Sequence, residues 1–221
     1  MFDGKFRESV DATTAPVGRW MVHVGFSADV LTGSGLVFAC ATAWAIAVGH
    51  HHLAVLLLSA TGLHDLFDGP VAKASHRASQ RGSFFDSVVD RLSDAVLLGG
   101  AAYYMTAHHR GQLVLLPFAI MTMTFMISYQ RSKAESLGLA AKGGLMERAE
   151  RMILLGVGLL ATPIFVPVLW LLLVLTTMTA AGRFWRVWQI AASPAPVIHV
   201  AHRSQHRASR LRRGLSRTSR H

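Results

Sequence analysis

Long blocks of apolar residues, separated by short polar segments, occupy the chain from about residue 29 to residue 190. Apolar runs of roughly 18 or more residues are typical of helices that cross a membrane. The pattern predicts six spans, at about residues 29–48, 53–75, 83–106, 112–136, 147–163 and 167–190. Polar or helix-breaking residues mark the ends, at Gly49–His52, Arg77–Arg81, His108–Gly111, Gly138–Gly144 and Pro163/Pro167. We therefore expect an all-α fold, a polytopic bundle of six transmembrane helices.

The two ends of the chain depart from this pattern. Residues 1–27 mix charged and apolar side chains, which is typical of an amphipathic helix lying along the membrane surface. Residues 193–221 are rich in Ser, Arg and His, which predicts a disordered basic tail. The predicted domains are thus an N-terminal juxtamembrane segment (1–27), a membrane domain (28–192) and a cytoplasmic tail (193–221).

Composition and charge agree with a membrane protein. Hydrophobic residues make up 52% of the chain and charged residues only 15%, whereas a soluble domain carries about 25% charged residues. The formal net charge of +10 lies largely in the tail, and no nucleic-acid motif accompanies it. Polybasic segments beside a membrane bind anionic headgroups, so we expect membrane lipids and no nucleic acid as partners.

Basic residues also predict the orientation. Of the 22 Lys and Arg residues, only Arg110 falls in the connections after the first, third and fifth spans. The positive-inside rule therefore places both termini of this multi-pass cell-membrane protein in the cytoplasm. Histidines His50–His52 and His108–His109 lie on the outer side with no carboxylate nearby, and we interpret them as polar turns rather than a metal cluster.

Four aspartates lie in or beside the second and third predicted spans: Asp65, Asp68, Asp86 and Asp90. An ionised carboxylate in hydrocarbon costs on the order of 3 kcal/mol even on the most lenient scale. The spacings i,i+3 and i,i+4 put each pair on one helical face, and antiparallel helices bring the pairs together. Divalent cations would neutralise them; the alternative is a polar helix pair with some aspartates protonated. Asp94 continues the stripe one turn deeper, as a supporting residue.

The aspartates belong to a longer pattern that resembles the signature of the CDP-alcohol phosphotransferase family, D-x2-D-G-x2-A-R-x8-G-x3-D-x3-D. Seven of its eight fixed positions match in this chain, which reads Asp65-x2-Asp68-Gly69-x2-Ala72-Lys73-x8-Gly82-x3-Asp86-x3-Asp90. The departure is Lys73, because lysine is a point charge that cannot make the bidentate phosphate contact of arginine.

Ala28–Thr32 is similar to the family's P-[DN]-x-[LV]-T entry to the first span, with Ala28 in place of proline. Three further segments are similar to actinobacterial phosphatidylinositol-phosphate synthases: Tyr129–Glu135, Gly143–Arg151 and Gly182–Arg183. Together they favour that subfamily over the phosphatidylglycerol-phosphate synthases. The resemblance implies a phosphatidyltransferase of phospholipid biosynthesis that joins CDP-diacylglycerol and inositol 1-phosphate into phosphatidylinositol phosphate, with release of CMP. It also implies a homodimer with its active site on the cytoplasmic side.

The same resemblance implies roles for individual residues. Two divalent ions per active site, Mg²⁺ or Mn²⁺, would bind Asp65, Asp68, Asp86 and Asp90, and Asp90 would also act as the general base. The CDP-alcohol would lie against Asp29, Thr32, Gly69, Ala72, Lys73 and Gly82.

A basic cluster near the cytoplasmic ends of the last three spans completes the predicted site: Arg131, Lys133, Arg148, Arg151 and Arg183. Such a cluster suits a phosphomonoester dianion, so we expect it to bind the phosphate of the acceptor. The alternative is ordinary positive-inside charge. Glycerol 3-phosphate is the alternative acceptor. Two alternatives belong to other functional classes: a divalent-cation channel or transporter, and an inactive relative bearing Lys73.

Overall fold

The described part of the chain consists of helices and short turns, with no strand. The structure, a computed structural model, describes residues 16–25, 27–74, 79–108, 111–139 and 143–192, with the backbone alone at residues 68 and 72–74. Helix α1 covers residues 16–23. The other helices are α2 (Ala28–Ala47), α3 (His51–Ala74), α4 (Gln80–His108), α5 (Leu115–Ser136), α6 (Arg148–Leu160) and α7 (Thr162–Ala192), with a 3-10 turn at Gln112–Val114.

Three stretches of the described residues are helical, long and apolar enough to cross a membrane: Ala28–Ala47, Gln112–Ser136 and Thr162–Ala192. They make the chain a membrane protein, and the predicted all-α fold is confirmed. Helices α3 and α4 are of comparable length but carry the aspartates, so their composition is less apolar. Helix α6 has 13 residues and is only about 20 Å long at 1.5 Å per residue.

The break between the last two helices lies a little earlier than the prolines suggested. Ala161 is extended, with φ −142° and ψ 116°, and ends α6. Pro163 lies in the first turn of α7, where a missing N–H removes no helical hydrogen bond. Pro167 lies inside α7. The prediction of a break at Pro163/Pro167 was therefore wrong by a few residues, because the first turn of a helix accepts proline.

Helix α2 is the centre of the packing and contacts both α3 and α4. Its buried face is built from small residues, including Ala39 and Ala43, which let the neighbouring helices approach closely. Larger side chains from α2, α4, α5, α6 and α7 fill the rest of the core, among them Ile46, Met105, Ile120, Leu159 and Leu169.

Helix α1 lies against the end of α3 that carries the aspartates. A Cβ added to Gly18 would come within 2.9 Å of Pro70, so the two helices touch without an intervening side chain. Trp20 of this helix and Val24 of the following turn are exposed, and the placement of α1 along a membrane surface stays a prediction. The remainder of the predicted segment 1–27 and the tail 193–221 lie outside the described residues.

Two adjacent glycines of α4 provide a test of the α2–α4 contact. A Cβ on Gly100 would overlap the carbonyl of Ala43, whereas a Cβ on Gly99 meets nothing within 4 Å. We expect Gly100→Ala to destabilise the protein by about 1–3 kcal/mol through overpacking. Gly99→Ala should be neutral or stabilising by up to about 1 kcal/mol, because alanine is the better helix former. Thermal unfolding in detergent measures both, and equal effects would contradict the close approach.

Candidate functional site

Helices α3 and α4 bring the motif aspartates together. The N-terminus of α4 is fixed by Ser79, whose Oγ accepts a hydrogen bond of 3.0 Å from the backbone N–H of Gly82. From that start, Asp86, Asp90 and Asp94 fall on successive turns of one helical face. Asp65 of α3 lies close enough for its carboxylate to repel those of α4. The predicted convergence of the two helices is thus observed for these side chains, whereas the side chain of Asp68 lies outside the description.

The carboxylates of α3 and α4 share a guanidinium from α6. Arg148 donates from Nε to Oδ2 of Asp65 at 2.6 Å and from Nη2 to Oδ1 of Asp65 at 3.3 Å. Its Nη1 lies 3.0 Å from Oδ1 of Asp90 and donates to the backbone carbonyl of Asp90 at 2.6 Å. The side chain of Arg148 is only 16% exposed, so these charge-assisted bonds are largely screened from water.

A second ion pair lies one turn deeper. Nη2 of Arg151 contacts Oδ2 of Asp94 at 2.6 Å, and both side chains are nearly buried. Nη1 of Arg148 is 3.9 Å from Oδ1 of the same aspartate, so Asp94 lies between the two arginines. A small cavity of about 20 Å³ adjoins the pair, lined otherwise by apolar side chains. Asp94 therefore pairs with Arg151 one turn beyond the motif, and its supporting role in the site stays a prediction.

Sequence reasoning did not connect Arg148 with the aspartates. It grouped Arg148 with the acceptor-phosphate cluster, whereas the structure places this side chain on Asp65 and Asp90. One signal was available in the sequence. Arg148 and Arg151 lie in the first turns of α6, where positive charge opposes the helix dipole. Two cations in that position indicate anionic partners elsewhere in the chain.

The predicted nucleotide-binding residues lie beside the start of α2 and the start of α4. Ser27 caps α2, and its Oγ accepts a hydrogen bond from the N–H of Val30 at 3.2 Å, which places Asp29 in the first turn. Oδ1 of Asp29 lies 3.6 Å from the position that a Cβ on Gly82 would occupy. The glycine therefore leaves space next to this carboxylate. Thr32 lies one turn further along α2, and Gly69 lies in α3. The side chains of Ala72 and Lys73 are outside the description.

The basic cluster divides into side chains with different surroundings. Arg131 is exposed and pairs with Glu135 at 3.0 Å, and Lys133 is exposed. Arg183 is buried and donates to the carbonyls of Ile127, at 2.8 Å, and of Gly143, at 3.1 Å. The charges of Arg131 and Arg151 act on Arg183. The structure thus gathers these arginines at one end of the bundle, and both Nη atoms of Arg183 are held by backbone.

The carboxylate oxygens of the aspartates suit a divalent cation, although Arg148 contacts two of these carboxylates. Among the side chains that the structure describes, no three acidic, His or Cys groups form a ready metal cage. Asp65, Asp86 and Asp90 nevertheless supply hard oxygen donors of the kind that Mg²⁺ and Mn²⁺ prefer. Their three negative charges exceed the two positive charges of Arg148 and of Arg91, whose Nη1 lies 4.0 Å from Oδ2 of Asp90. The remaining charge fits a divalent ion, which would have to share or take over the oxygens that Arg148 contacts.

Residues 26–181 match the family model described as CDP-alcohol phosphatidyltransferase. The chain belongs to the CDP-alcohol phosphatidyltransferase family. Members of this family are enzymes that depend on divalent cations, so the family supplies the chemistry for which the aspartates are suited.

Two curated relatives of this phosphatidyltransferase carry related names. An archaetidylinositol phosphate synthase of Methanothermobacter thermautotrophicus is 38% identical over 140 residues, which cover 63% of this chain and 69% of the relative. A phosphatidylinositol phosphate synthase of Mycobacterium tuberculosis is 30% identical over 199 residues, covering 85% of this chain and 90% of the relative.

Solved structures show the same fold. The crystal structure of the Mycobacterium tuberculosis phosphatidylinositol phosphate synthase PgsA1 with CDP-DAG bound superposes with a TM-score of 0.74 at 27% identity, covering 83% of this chain and 98% of the other. PgsA1 in complex with manganese and citrate superposes with a TM-score of 0.74 at 28% identity, covering 85% and 93%.

The Asp94–Arg151 pair is open to a double-mutant test. Arg151→Met leaves a nearly buried carboxylate without its partner, and we expect a loss of roughly 3 kcal/mol of stability. Asp94→Asn in that background should restore part of the loss, with a coupling energy of about 1–3 kcal/mol. Thermal unfolding of the wild type, both single variants and the double variant measures the coupling. Additive losses would mean that the two side chains do not act as a pair.

Proposed function

We propose that the chain transfers a phosphatidyl group from CDP-diacylglycerol to inositol 1-phosphate, giving phosphatidylinositol phosphate and CMP. The observation that carries the proposal is the position of two arginines on α6. Arg148 contacts the motif aspartates, and Arg151, one turn further along, contacts Asp94 and belongs to the basic cluster that suits a phosphate. A site that joins a diphosphate donor to a phosphorylated alcohol needs these two regions side by side.

The reaction breaks one P–O bond and forms another. A hydroxyl oxygen of the acceptor attacks the phosphorus that carries the diacylglycerol, the bridging P–O bond breaks, and CMP leaves with the electron pair. The acceptor proton moves to a carboxylate, which we assign to Asp90. Asp90 lies on the face of α4 that also carries Asp86 and Asp94, and a general base must reach the attacking hydroxyl directly or through one water.

The donor is supported by the likeness to PgsA1 with CDP-DAG bound. In this chain Asp29 and Gly82 lie next to each other at the starts of α2 and α4, and Thr32 follows one turn along α2. With Gly69, Ala72 and Lys73 they would hold the cytidine diphosphate. Lys73 would contact the diphosphate as a point charge.

Two divalent ions, Mg²⁺ or Mn²⁺, would be held by Asp65, Asp68, Asp86 and Asp90. The manganese in a PgsA1 structure supports this class of ion. When bound, the ions neutralise the diphosphate and the charge that develops on the departing CMP. The protein's own contribution is to hold the aspartates at one end of the bundle and to present Asp90 to the acceptor.

The acceptor is supported by the names of the relatives and by charge. Archaetidylinositol phosphate synthase and phosphatidylinositol phosphate synthase differ in the lipid part of the name and share inositol phosphate. We assign the acceptor phosphate to Arg151 and Arg183, with Arg131, Lys133 and Arg148 contributing positive charge. Charge-assisted contacts of this kind favour a phosphomonoester over an uncharged polyol.

The same proposal includes topology and assembly. Six spans, formed by α2 to α7, would place both termini and the aspartates on the cytoplasmic side of the cell membrane, as the distribution of Lys and Arg favours. Large apolar side chains remain exposed on several helices, among them Val37, Trp44, Leu56 and Trp170. Lipid would cover these surfaces, and a second copy in a homodimer would cover part of them.

The acceptor is tested by release of CMP from CDP-diacylglycerol in the presence of Mg²⁺. We expect inositol 1-phosphate to be used roughly 10- to 150-fold better than free inositol, because a charge-assisted contact with phosphate is worth ~1.5–3 kcal/mol. Glycerol 3-phosphate carries the same phosphate but not the ring, and we expect a lower kcat/KM with it. If glycerol 3-phosphate proved the better acceptor, the inositol assignment would be withdrawn and only the family assignment would remain.

The catalytic aspartates are tested by substitution and by removal of metal. Asp90→Asn should retain binding of CDP-diacylglycerol and lose roughly 10²- to 10⁴-fold in turnover, the usual contribution of a positioned general base. Asp86→Ala should abolish activity, and EDTA should do so reversibly in the wild type because the ions position the diphosphate. Turnover of Asp90→Asn at the wild-type rate would remove this residue from the proton transfer. Full activity in EDTA would overturn the metal assignment.

A further inference from the structure

Arg148 is bonded to the same oxygens that a divalent ion would use. Its Nε and Nη2 take both carboxylate oxygens of Asp65, at 2.6 and 3.3 Å. Its Nη1 lies 3.0 Å from Oδ1 of Asp90. Positive charges at the same carboxylates repel one another at short range. The contact of Arg148 with Asp65 and Asp90 therefore weakens the binding of a divalent ion to the same two carboxylates, and the bound ion weakens the contact of Arg148.

The arginines around the aspartates leave them with net negative charge. Asp65 and Asp90 each experience the charges of Asp86 and Asp94. These four carboxylates face three guanidiniums: Arg148, Arg151 at 2.6 Å from Asp94, and Arg91 at 4.0 Å from Asp90. Binding of divalent cations adds the missing positive charge and lowers the need of Asp65 and Asp90 for Arg148.

Arg148 has a third carboxylate within reach when it leaves Asp65 and Asp90. Nη1 is 3.9 Å from Oδ1 of Asp94, and this aspartate also contacts Arg151. Both arginines lie near the start of α6, and a rotation of the Arg148 side chain would carry its guanidinium from Asp65 towards Asp94 and Arg151.

We propose that Arg148 is an exchangeable counter-ion: it neutralises Asp65 and Asp90, yields them to divalent cations, and then joins Arg151 in binding the phosphate of the acceptor. The proposal rests on the proposed function and adds an order to it, since cations and the CDP-lipid bind first and the acceptor second. It also makes metal binding and anion binding mutually favourable. Thermodynamic linkage requires that each tightens the other by the same factor.

The affinity for Mn²⁺ tests the exchange without turnover. Free Mn²⁺ is measured by EPR while purified protein in detergent is titrated with the metal alone. Arg148→Gln keeps a polar, though shorter, side chain and removes the competing charge, and we expect Mn²⁺ to bind at least about 5-fold more tightly, the lower end of typical coupling between sites. Arg148→Lys retains the charge and should stay within about 3-fold of the wild type, since the coupling depends chiefly on charge.

Arg186→Gln is the matched control. Arg186 carries the same charge at the same end of the bundle but is exposed and donates to the carbonyl of Gly143 instead of an aspartate. Its loss should leave the Mn²⁺ affinity within about 2-fold, because exposed charges are strongly screened. An increase equal to that of Arg148→Gln would show a general effect of net charge and overturn the exchange, as would unchanged or weaker Mn²⁺ binding by Arg148→Gln.

Sulfate, a tetrahedral dianion, tests the coupling to the acceptor site. Wild-type protein should bind Mn²⁺ more tightly in sulfate than in chloride of equal ionic strength, and Arg148→Gln should lose this dependence. Absence of a sulfate effect in the wild type would overturn the coupling. This comparison uses the wild type alone, so it remains valid if size-exclusion chromatography shows that Arg148→Gln fails to fold. Activity assays distinguish failure of the exchange from failure of the proposed function. If the wild type forms product from inositol 1-phosphate but Arg148→Gln has the wild-type Mn²⁺ affinity, the exchange alone is wrong. If Arg148→Gln binds Mn²⁺ more tightly but the wild type forms no product from inositol 1-phosphate, the proposed acceptor is wrong.

Discussion

The need to neutralise several carboxylates inside an apolar helical bundle determines the arrangement of this protein. Asp65, Asp86, Asp90 and Asp94 lie close enough to repel one another, and each is costly where water is scarce. Arg148 meets part of that need by bonding to α3 and α4 at once. The positions of three helices are therefore tied to one guanidinium, and their packing follows from where their charged side chains can meet.

Placing Arg148 there imposes conditions on the segment that precedes α6. Arginine at a helix N-terminus opposes the helix dipole, so α6 must begin where Asp65, Asp90 and Asp94 can compensate. Arg183 of α7 helps to fix that point, because it is buried and bonds the carbonyls of Ile127 in α5 and of Gly143 before α6. Gly143 itself has φ +88°, a conformation that favours glycine. Arg183 thus helps to position the start of α6.

The first turns of α6 connect the two halves of the proposed chemistry. Arg148 contacts the motif aspartates and Arg151 contacts Asp94, three residues further along the same helix. A donor neutralised by metal at the aspartates and an acceptor bound by the arginines would meet across this short helix. The small residues of α2 allow the close packing that supports it, as the overlap at Gly100 and Ala43 illustrates.

The aspartates, their spacing and the helical class were readable in the sequence, because apolar length and an i,i+3/i,i+4 pattern are local properties of the chain. The family followed from Asp65, Gly69, Gly82 and the other motif positions for the same reason. The pairing of Arg148 was not readable, since it joins residues 58 and 83 positions apart. Such a contact exists only once α3, α4 and α6 pack together. The break at Ala161 also depended on the folded chain, because Pro163 is as acceptable within the first turn of a helix as before it.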